Sequence, residues 1–271
     1  MSHVASSTER SDRDPAVSDV LATVERFWSL GGERLDVGDA VLVRHREALT
    51  NPLGTFATAL RATTSRATAA TLARCDELVD GTCGRVLIDP HTPPAVEAHL
   101  ALEDWRLDAQ LQLVLPAEVV TDPADPQPRP VAEDEDWQRL GELFRLDHLE
   151  EDAKAGRRPR PAADTLAAVA LRRALTPGAE YFTVERAGVP LAFFGVWVDG
   201  RIGLIEDVFV RPDARHQGLA SAMLRFAIGH ARARGAGPIT IAAAVRDTPK
   251  HIYARLGFRP VAVTRSWLRD G

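Results

Sequence analysis

Lysine is almost missing from this sequence. Lys154 and Lys250 are the two present, and every other basic side chain apart from histidine is an arginine. With a formal net charge of −5 and a sequence pI of about 5.9, the chain has no excess of positive charge with which to hold nucleic acid non-specifically. Cysteine is as scarce. Cys75 and Cys83 match no metal or redox spacing and read as free reduced thiols. No apolar run approaches the roughly 18 residues that a membrane span needs. The opening "MSHVASSTERSDRDP" lacks the apolar stretch of a secretory signal, and residues 1–15 read as a disordered tail of a cytoplasmic protein. The scattered histidines include no His-x-x-x-His pair backed by an acid, so no metal is expected. Gly-x-Ser-x-Gly and Gly-x-x-x-x-Gly-Lys are both missing, so the serine-hydrolase elbow and the phosphate-binding P-loop lack their key residues.

What is present is enough apolar material for real cores, 45% of 271 residues, in a length that suits two domains. The boundary between them is "PAEVVTDPADPQPRPVAEDED", where five prolines fall between Pro116 and Pro130. Proline fixes φ and lacks a donor, so this stretch excludes a helix or a central strand and reads as a linker, residues 116–133. Before it, residues 16–115 alternate helical spacing (Val20, Val24, Phe27; the Ala-rich run Ser65 to Val79; "PPAVEAHLALE") with strands ("DAVLVRH", "TFATALR", "RVLID", "RLDAQLQLVL"). After it, residues 134–271 begin with a helix carrying Trp137, Leu140 and Phe144 on one face and a second helix over about Asp164 to Leu175. Three strands joined by glycine turns follow, "EYFTVER", "PLAFFGVWV" and "RIGLIEDVFV". A helix from about Gln217 to Arg234, the strand "PITIAAAV", the short helix "TPKHIYARLGF" and the strand "RPVAVTRSWLR" complete a mixed α/β domain.

Between the third strand and its helix lies "RPDARHQGLASAML", Arg211 to Leu224. A helix start exposes unpaired N–H groups and the positive end of the dipole, a seat for phosphate. Gly218 has no Cβ to keep a phosphate away, Ala220 is small, and Arg215 adds charge. An ordinary strand–turn–helix with a surface arginine has the same spacing, and this stretch alone does not choose between the two. One strand later, "YARLGF" places Tyr253 four residues before Gly257 and Phe258.

Together the two stretches resemble the GNAT superfamily of acyl-CoA-dependent N-acyltransferases. Arg215, Gly218 and Ala220 meet its Gln/Arg-x-x-Gly-x-Gly/Ala signature, and Tyr253, Gly257 and Phe258 meet its Tyr-x-x-x-Gly-Phe signature. The resemblance covers roughly Val131 to Asp270. It departs at His216, where a second glycine is common, and at Arg246, where an asparagine often stands. It implies a mixed, mostly antiparallel sheet flanked by helices, with acetyl-CoA as co-substrate and no metal. The pyrophosphate would rest on the backbone of His216, Gln217, Gly218, Leu219, Ala220 and Ser221. The pantetheine amides would pair with the main chain of Val208, Phe209 and Val210, where this strand parts from "PITIAAAV".

The implied reaction needs a neutral amine, and a lysine-type amine has a pKa of about 10.4. Glu206 and Asp207 are the acids nearest the expected acetyl group. Strict alternation sends them to opposite faces, and a bulge would change that. Glu206 is taken as the base and Asp207 as the group that binds the cationic acceptor; the competing reading is two structural strand-end acids. A main-chain N–H near Val208 or Phe209 would hold the oxyanion. Tyr253 would protonate the leaving thiolate, the competing reading being a buried tyrosine bound to a carbonyl. His230 and His251 read as packing or surface residues. The expected function is acetyl transfer to a primary amine of a small molecule. Acetylation of a protein or peptide, and a CoA sensor without turnover, are the competing readings. No nucleic acid or membrane partner is expected, and the sequence is compatible with an oligomer.

A shift of 153 positions lays Val86 on Ile239, Ile88 on Ile241, Trp105 on Phe258, Arg106 on Arg259 and Ala109 on Ala262. The first half thus looks like a degenerate copy of the second, as in tandem members of the superfamily. Leu100 stands for the tyrosine, Asp104 for the glycine, and no glycine occurs between Gly54 and Gly81. This half is expected to bind no cofactor and to wall the acceptor pocket or steady the sheet.

Overall fold

The computed structural model describes residues 15, 17–46, 54–79, 81–121, 128–176 and 178–269. The expected tail, Pro15 apart, and residues 122–127 of the expected linker lie outside them. The first half runs α1 (Val17–Trp28), β1 (Glu33–Asp36), β2 (Val41–Arg44), β3 (Phe56–Thr58), α2 (Ser65–Val79), β4 (Arg85–Ile88), α3 (Pro94–Leu102) and β5 (Arg106–Leu115). The second runs β6 (Arg129–Pro130), α4 (Asp134–Lys154), α5 (Ala162–Leu175), β7 (Ala179–Arg186), β8 (Val189–Asp199), β9 (Ile202–Val210), α6 (Leu219–Ala233), β10 (Ile239–Ala244), α7 (Pro249–Arg255) and β11 (Arg259–Leu268). The elements read from the sequence are present. The additions are β1 and the two-residue β6, which places Pro130 on a sheet edge, where a missing donor costs least.

Local chemistry explains the elements that frame the site. A capping box starts α4: the Glu133 carboxylate accepts from the Asp136 backbone, and Asp136 accepts from the Glu133 N–H. Buried Asp152 closes the turn from α4 into α5 by accepting from Arg157 and Arg160. The β7–β8 turn has φ of +51° at Ala187 and +76° at Gly188, the mirror-image turn that suits strand twist.

Among the described residues, eleven strands form one sheet in the order β1-β2-β3-β4-β11-β5-β10-β9-β8-β7-β6. This order, β6 apart, reads the same from either end when each first-half strand is matched to its second-half counterpart. The parallel pairs also correspond, β3 with β4 and β9 with β10. The 153-residue shift carries β5 onto β11 over their whole length, and α2 and α6 are both 15 residues long. Asp104, which stands for Gly257, keeps the same left-handed backbone, with φ of +56° against +98°. The chain is therefore two units in tandem, but they are not separate sheets. Each half's last strand has crossed over: β5 lies between β10 and β11, and β11 lies between β5 and β4.

Three cores follow. Beneath one face, α6 and α7 pack on the second half through Met223, Ala227, Ile239 and Tyr253, and α2 and α3 pack on the first through Leu72, Val86, Val96 and Leu100. The opposite face is shared. There α1 joins α4 and α5, so that Phe27, Trp28, Val43 and Phe56 meet Trp137, Phe144, Trp197, Leu204 and Phe209.

A chain of residues 128–271 alone would lack β5 and expose the inner edges of β10 and β11. We expect it to be insoluble or to lack fixed tertiary packing by near-ultraviolet circular dichroism. The full chain should unfold in a single transition. Independent folding of the fragment would show that the exchange is dispensable.

Candidate active site

The residues singled out by motif converge on the end of β9. Up to Ile205 this strand pairs with β10, through Gly203–Ile239, Leu204–Thr240 and Ile205–Ile241, and there the parallel ladder stops. On its other side β9 continues along β8, with Glu206 opposite Gly195 and Phe209 opposite Phe193. One extra residue is thereby inserted, a bulge at Asp207, whose φ is +55°. Beyond it, the Arg211 N–H donates to Leu191 on β8 at 2.9 Å. Alternation then turns the main chain of Val208 and Val210 toward the edge that β10 has left, and that of Phe209 toward β8. Of the three residues expected to face the cofactor, Phe209 therefore does not, and its ring is buried against Phe193.

The bulge overrides alternation at the two acids. Glu206 shares the face of Leu204, Gly195 and Tyr181 by register, and Asp207 turns to the same face. There Arg172 of α5 grips Asp207 through two bonds, Nε to Oδ2 at 3.0 Å and Nη2 to Oδ1 at 2.8 Å. The Tyr181 hydroxyl donates to Oδ2 at 3.1 Å. The guanidinium lies between the rings of Trp28 and Phe144, 5.2 and 5.0 Å from their centres. Asp207 was expected to bind the acceptor's cation; its charge is instead committed to an internal cation, which makes it a positioning residue. Among the described residues no basic side chain forms an ion pair with Glu206, which accepts a hydrogen bond from the Asp207 backbone. Burial first, and the Asp207 charge second, push its pKa up to about 8.

The turn after β9 brings together the residues expected to seat a phosphate. Gly218 has φ of +79°, and no atom lies within 4 Å of where a Cβ would stand. No side chain caps α6, whose first intrahelical bond runs from the Ala222 N–H to the Gly218 carbonyl at 3.0 Å. The N–H groups of Leu219, Ala220 and Ser221 precede it and have no helical acceptor. His216 also has positive φ, +61°. The Gln217 side chain is turned to Arg186 and the Asp213 carbonyl. Arg215 departs from expectation. Its Nη1 and Nη2 donate to Glu150 of α4 at 2.7 and 2.5 Å and its Nε to the Val210 carbonyl at 2.9 Å. It pins the turn to β9 and α4, and its charge is spent on Glu150, whose pKa Arg215, with Lys154, holds down at about 2.

Tyr253 reaches the same cleft from α7. Its ring is 4% exposed, yet among the described residues its hydroxyl has no hydrogen-bond partner. Burial, then the charge on Glu206, raises its pKa. The sequence reading missed Arg172, Tyr181 and Asp147. Arg172 was visible as a charge on the apolar stripe of Ala168, Leu171 and Leu175. Asp147 is a half-buried acid on α4 whose pKa is pushed up to about 8 by burial and by Glu151, Asp207 and Glu150.

The corresponding place in the first half is closed. The Ala67 N–H at the start of α2 donates to the Thr64 hydroxyl at 3.2 Å, so that helix caps itself. Leu100, in the tyrosine's place, is fully buried.

Replacing Arg172 by Met should strand the Asp207 carboxylate, which is 13% exposed, without its cation. Breaking a buried pair in this way costs about 3–5 kcal/mol. Urea unfolding should report that loss, and adding Asp207→Asn should restore a good part of it. An unchanged midpoint in the single variant would mean the pair carries little of the fold.

Comparison with known proteins agrees with this geometry. The sequence model of the acetyltransferase (GNAT) family matches residues 137–258. An uncharacterized N-acetyltransferase of Methanocaldococcus jannaschii is 30% identical over 97 residues, a match that spans 33% of this chain and 43% of that one. A GCN5-related N-acetyltransferase from Kribbella flavida superposes with a TM-score of 0.62 at 18% identity, over 95% of this chain and 98% of that chain. A tandem GNAT protein from the clavulanic acid biosynthesis pathway superposes with a TM-score of 0.51 at 14% identity, over 96% of this chain and 90% of that chain. The last two likenesses concern the fold and include the first half. Residues 137–258 thus match the GNAT acetyltransferase family, within a chain whose fold is like that of a tandem GNAT protein.

Proposed function

We propose that this chain is an acetyl-CoA-dependent N-acetyltransferase that acts on a primary amine of a small molecule. The observation that carries the reading is the bulge at Asp207. It leaves Glu206, which among the described residues has no ion-pair partner, as a proton-accepting acid at the point where β9 parts from β10, beside the start of α6, which no side chain caps, and the Tyr253 hydroxyl.

Acetyl-CoA would supply the activated acetyl group. The residues fit its two halves: the N–H groups of Leu219, Ala220 and Ser221 and the open space at Gly218 suit a pyrophosphate, and the edge that β10 leaves at the Val208 main chain and the Val210 N–H suits amides, the Val210 carbonyl being taken by Arg215. Glu206 takes a proton from the incoming ammonium, a role for which a raised pKa is the right adjustment at neutral pH. The Val208 main chain, turned to the open edge, offers a donor to the carbonyl that is attacked. Tyr253 returns a proton to the leaving sulfur. Arg172 and Tyr181 hold Asp207 and so keep the bulge that aims Glu206. A small acceptor is favoured because α1, α4 and α5 cover the face that Glu206 occupies.

The test is thiol release from acetyl-CoA over a panel of amines, amino acids, aminoglycosides and peptides. Tyr253→Phe should lower kcat by about 10²–10⁴-fold and leave cofactor affinity nearly intact. The ionised form of Glu206 is the active one, so kcat/KM should climb as pH rises through about 8, whatever the acceptor's own pKa. Glu206→Gln should remove that limb. A limb that tracks the acceptor's pKa in both proteins would take Glu206 out of the mechanism.

Calorimetric titration with CoA should saturate at one per chain, because Thr64 occupies the first half's helix start. Gly218→Asp, which adds bulk and negative charge at the remaining seat, should abolish binding in a folded protein. A second saturable site would overturn this assignment.

A further inference from the structure

The face that carries Glu206 continues across the crossed strands into the first half. Direct partners in the ladders share a face. Leu204 leads through Thr240 and Ala242 of β10 to Gln112 of β5, and along β5 to Gln110 and Asp108. The next pairs lead to Thr264 and Ser266 of β11, and from Leu268 to Arg85 of β4. Over the centre of the sheet this face is a polar strip between apolar walls. The Gln112 amide donates to Thr264 at 3.1 Å, and the Gln110 amide to Asp108 at 3.3 Å.

Arg85 stands at its far end. Nε and Nη1 are sealed from solvent and have no acceptor among the described residues. A guanidinium cannot shed its proton to escape that cost, so a buried one is normally paired. Burial lowers the pKa of Arg85, and Asp108 and Glu206 offset this only from a distance. The charge of Glu206 is felt at Arg85, so the acid and the cation address one space. The fold does not demand a cation here, because the same 153-residue shift places Pro238 at this position in the second half.

From this juxtaposition we infer that Arg85, supplied by the first half, binds an anionic group of the acceptor. The acceptor is then a primary amine that also carries a carboxylate or phosphate, its amine at Glu206 and its anion at Arg85. This rests on the acetyl-transfer reading for the amine end, whereas the anion end is measurable without turnover. Charge-assisted hydrogen bonds to a fixed guanidinium would supply the selectivity.

The experiment uses the full chain and matched acceptors: amino acids, their C-terminal amides, and aminoalkyl phosphonates and phosphates. The parent protein should prefer the anionic members. Arg85→Gln should raise KM for them by about 10–100-fold, the size of a lost charged hydrogen bond, and leave the amides and acetyl-CoA unchanged. Arg85→Lys should fall between. The melting temperature of Arg85→Gln should hold or rise, since an uncompensated buried charge is gone. The carboxylates and phosphonates within the panel identify which anion is used. Equal losses for acids and amides, or a parent protein that prefers amides, would overturn the assignment. So would a fall in melting temperature without selective loss. If no acceptor releases thiol, the transfer reading fails, and calorimetry of acid against amide, with CoA bound, still decides the role of Arg85. Failure of every anionic member to bind would end it.

Discussion

A backbone φ near +55° is strained for a residue with a side chain, by about 1–3 kcal/mol, and aspartate is among the few that tolerate it. At Asp207 two oxygens are held by Arg172 and Tyr181, and that grip stabilises the strained conformation. Much depends on it. The inserted residue turns two consecutive acids to one face and shifts the register of β9 on β8. Gly195 belongs to the same arrangement, because a Cβ there would stand 2.9 Å from the Tyr181 ring. Trp28 and Phe144 close over the guanidinium from α1 and α4. At this bulge the first half acts at second hand, through an aromatic ring on a cation on a carboxylate.

The duplicated architecture divides its labour by small local differences. Both halves have a parallel strand pair, a helix of equal length connecting its two strands, and a left-handed residue before the last strand. What separates them is a threonine hydroxyl at one helix start and bare glycine at the other. The first has satisfied one of its own orphan donors. In the second no side chain caps the helix, which is a cost to stability that natural sites commonly carry.

How much of this was legible in the sequence follows from how local each feature is. Gly218 and Tyr253 could be read because a helix start and a one-turn helix impose short, fixed spacings. The repeat could be read because β5 and β11 kept their alternation. The bulge could only be left open, since alternation alone cannot reveal an inserted residue. Arg215 was found but given the wrong role, because its partner Glu150 lies 65 residues away and no local pattern announces such a pair. Asp207 was misassigned for the same reason, with Arg172 35 residues earlier. The exchange of β5 and β11 left no trace at all, because an alternating strand records that it is half-buried and not which neighbour it has. Nothing in the sequence singled out Arg85, because the sealing of its Nε and Nη1 is a property of the assembled face.

The place of β5 has a further consequence on the ribosome. It leaves the exit tunnel complete at Leu115, while its neighbours end only at Ala244 and Leu268. At a synthesis rate of about 5–20 residues per second, the nearer partner arrives roughly 6 to 26 s later. Through that interval a ten-residue strand with a buried-type end, "LVL", has both edges free. Its alternating half, "RLDAQLQ", puts an arginine, an aspartate and two glutamines among the leucines, and such residues protect a waiting edge from pairing with another nascent chain. The polar strip at the centre of the mature sheet is thus also a safeguard while β5 waits for its partners.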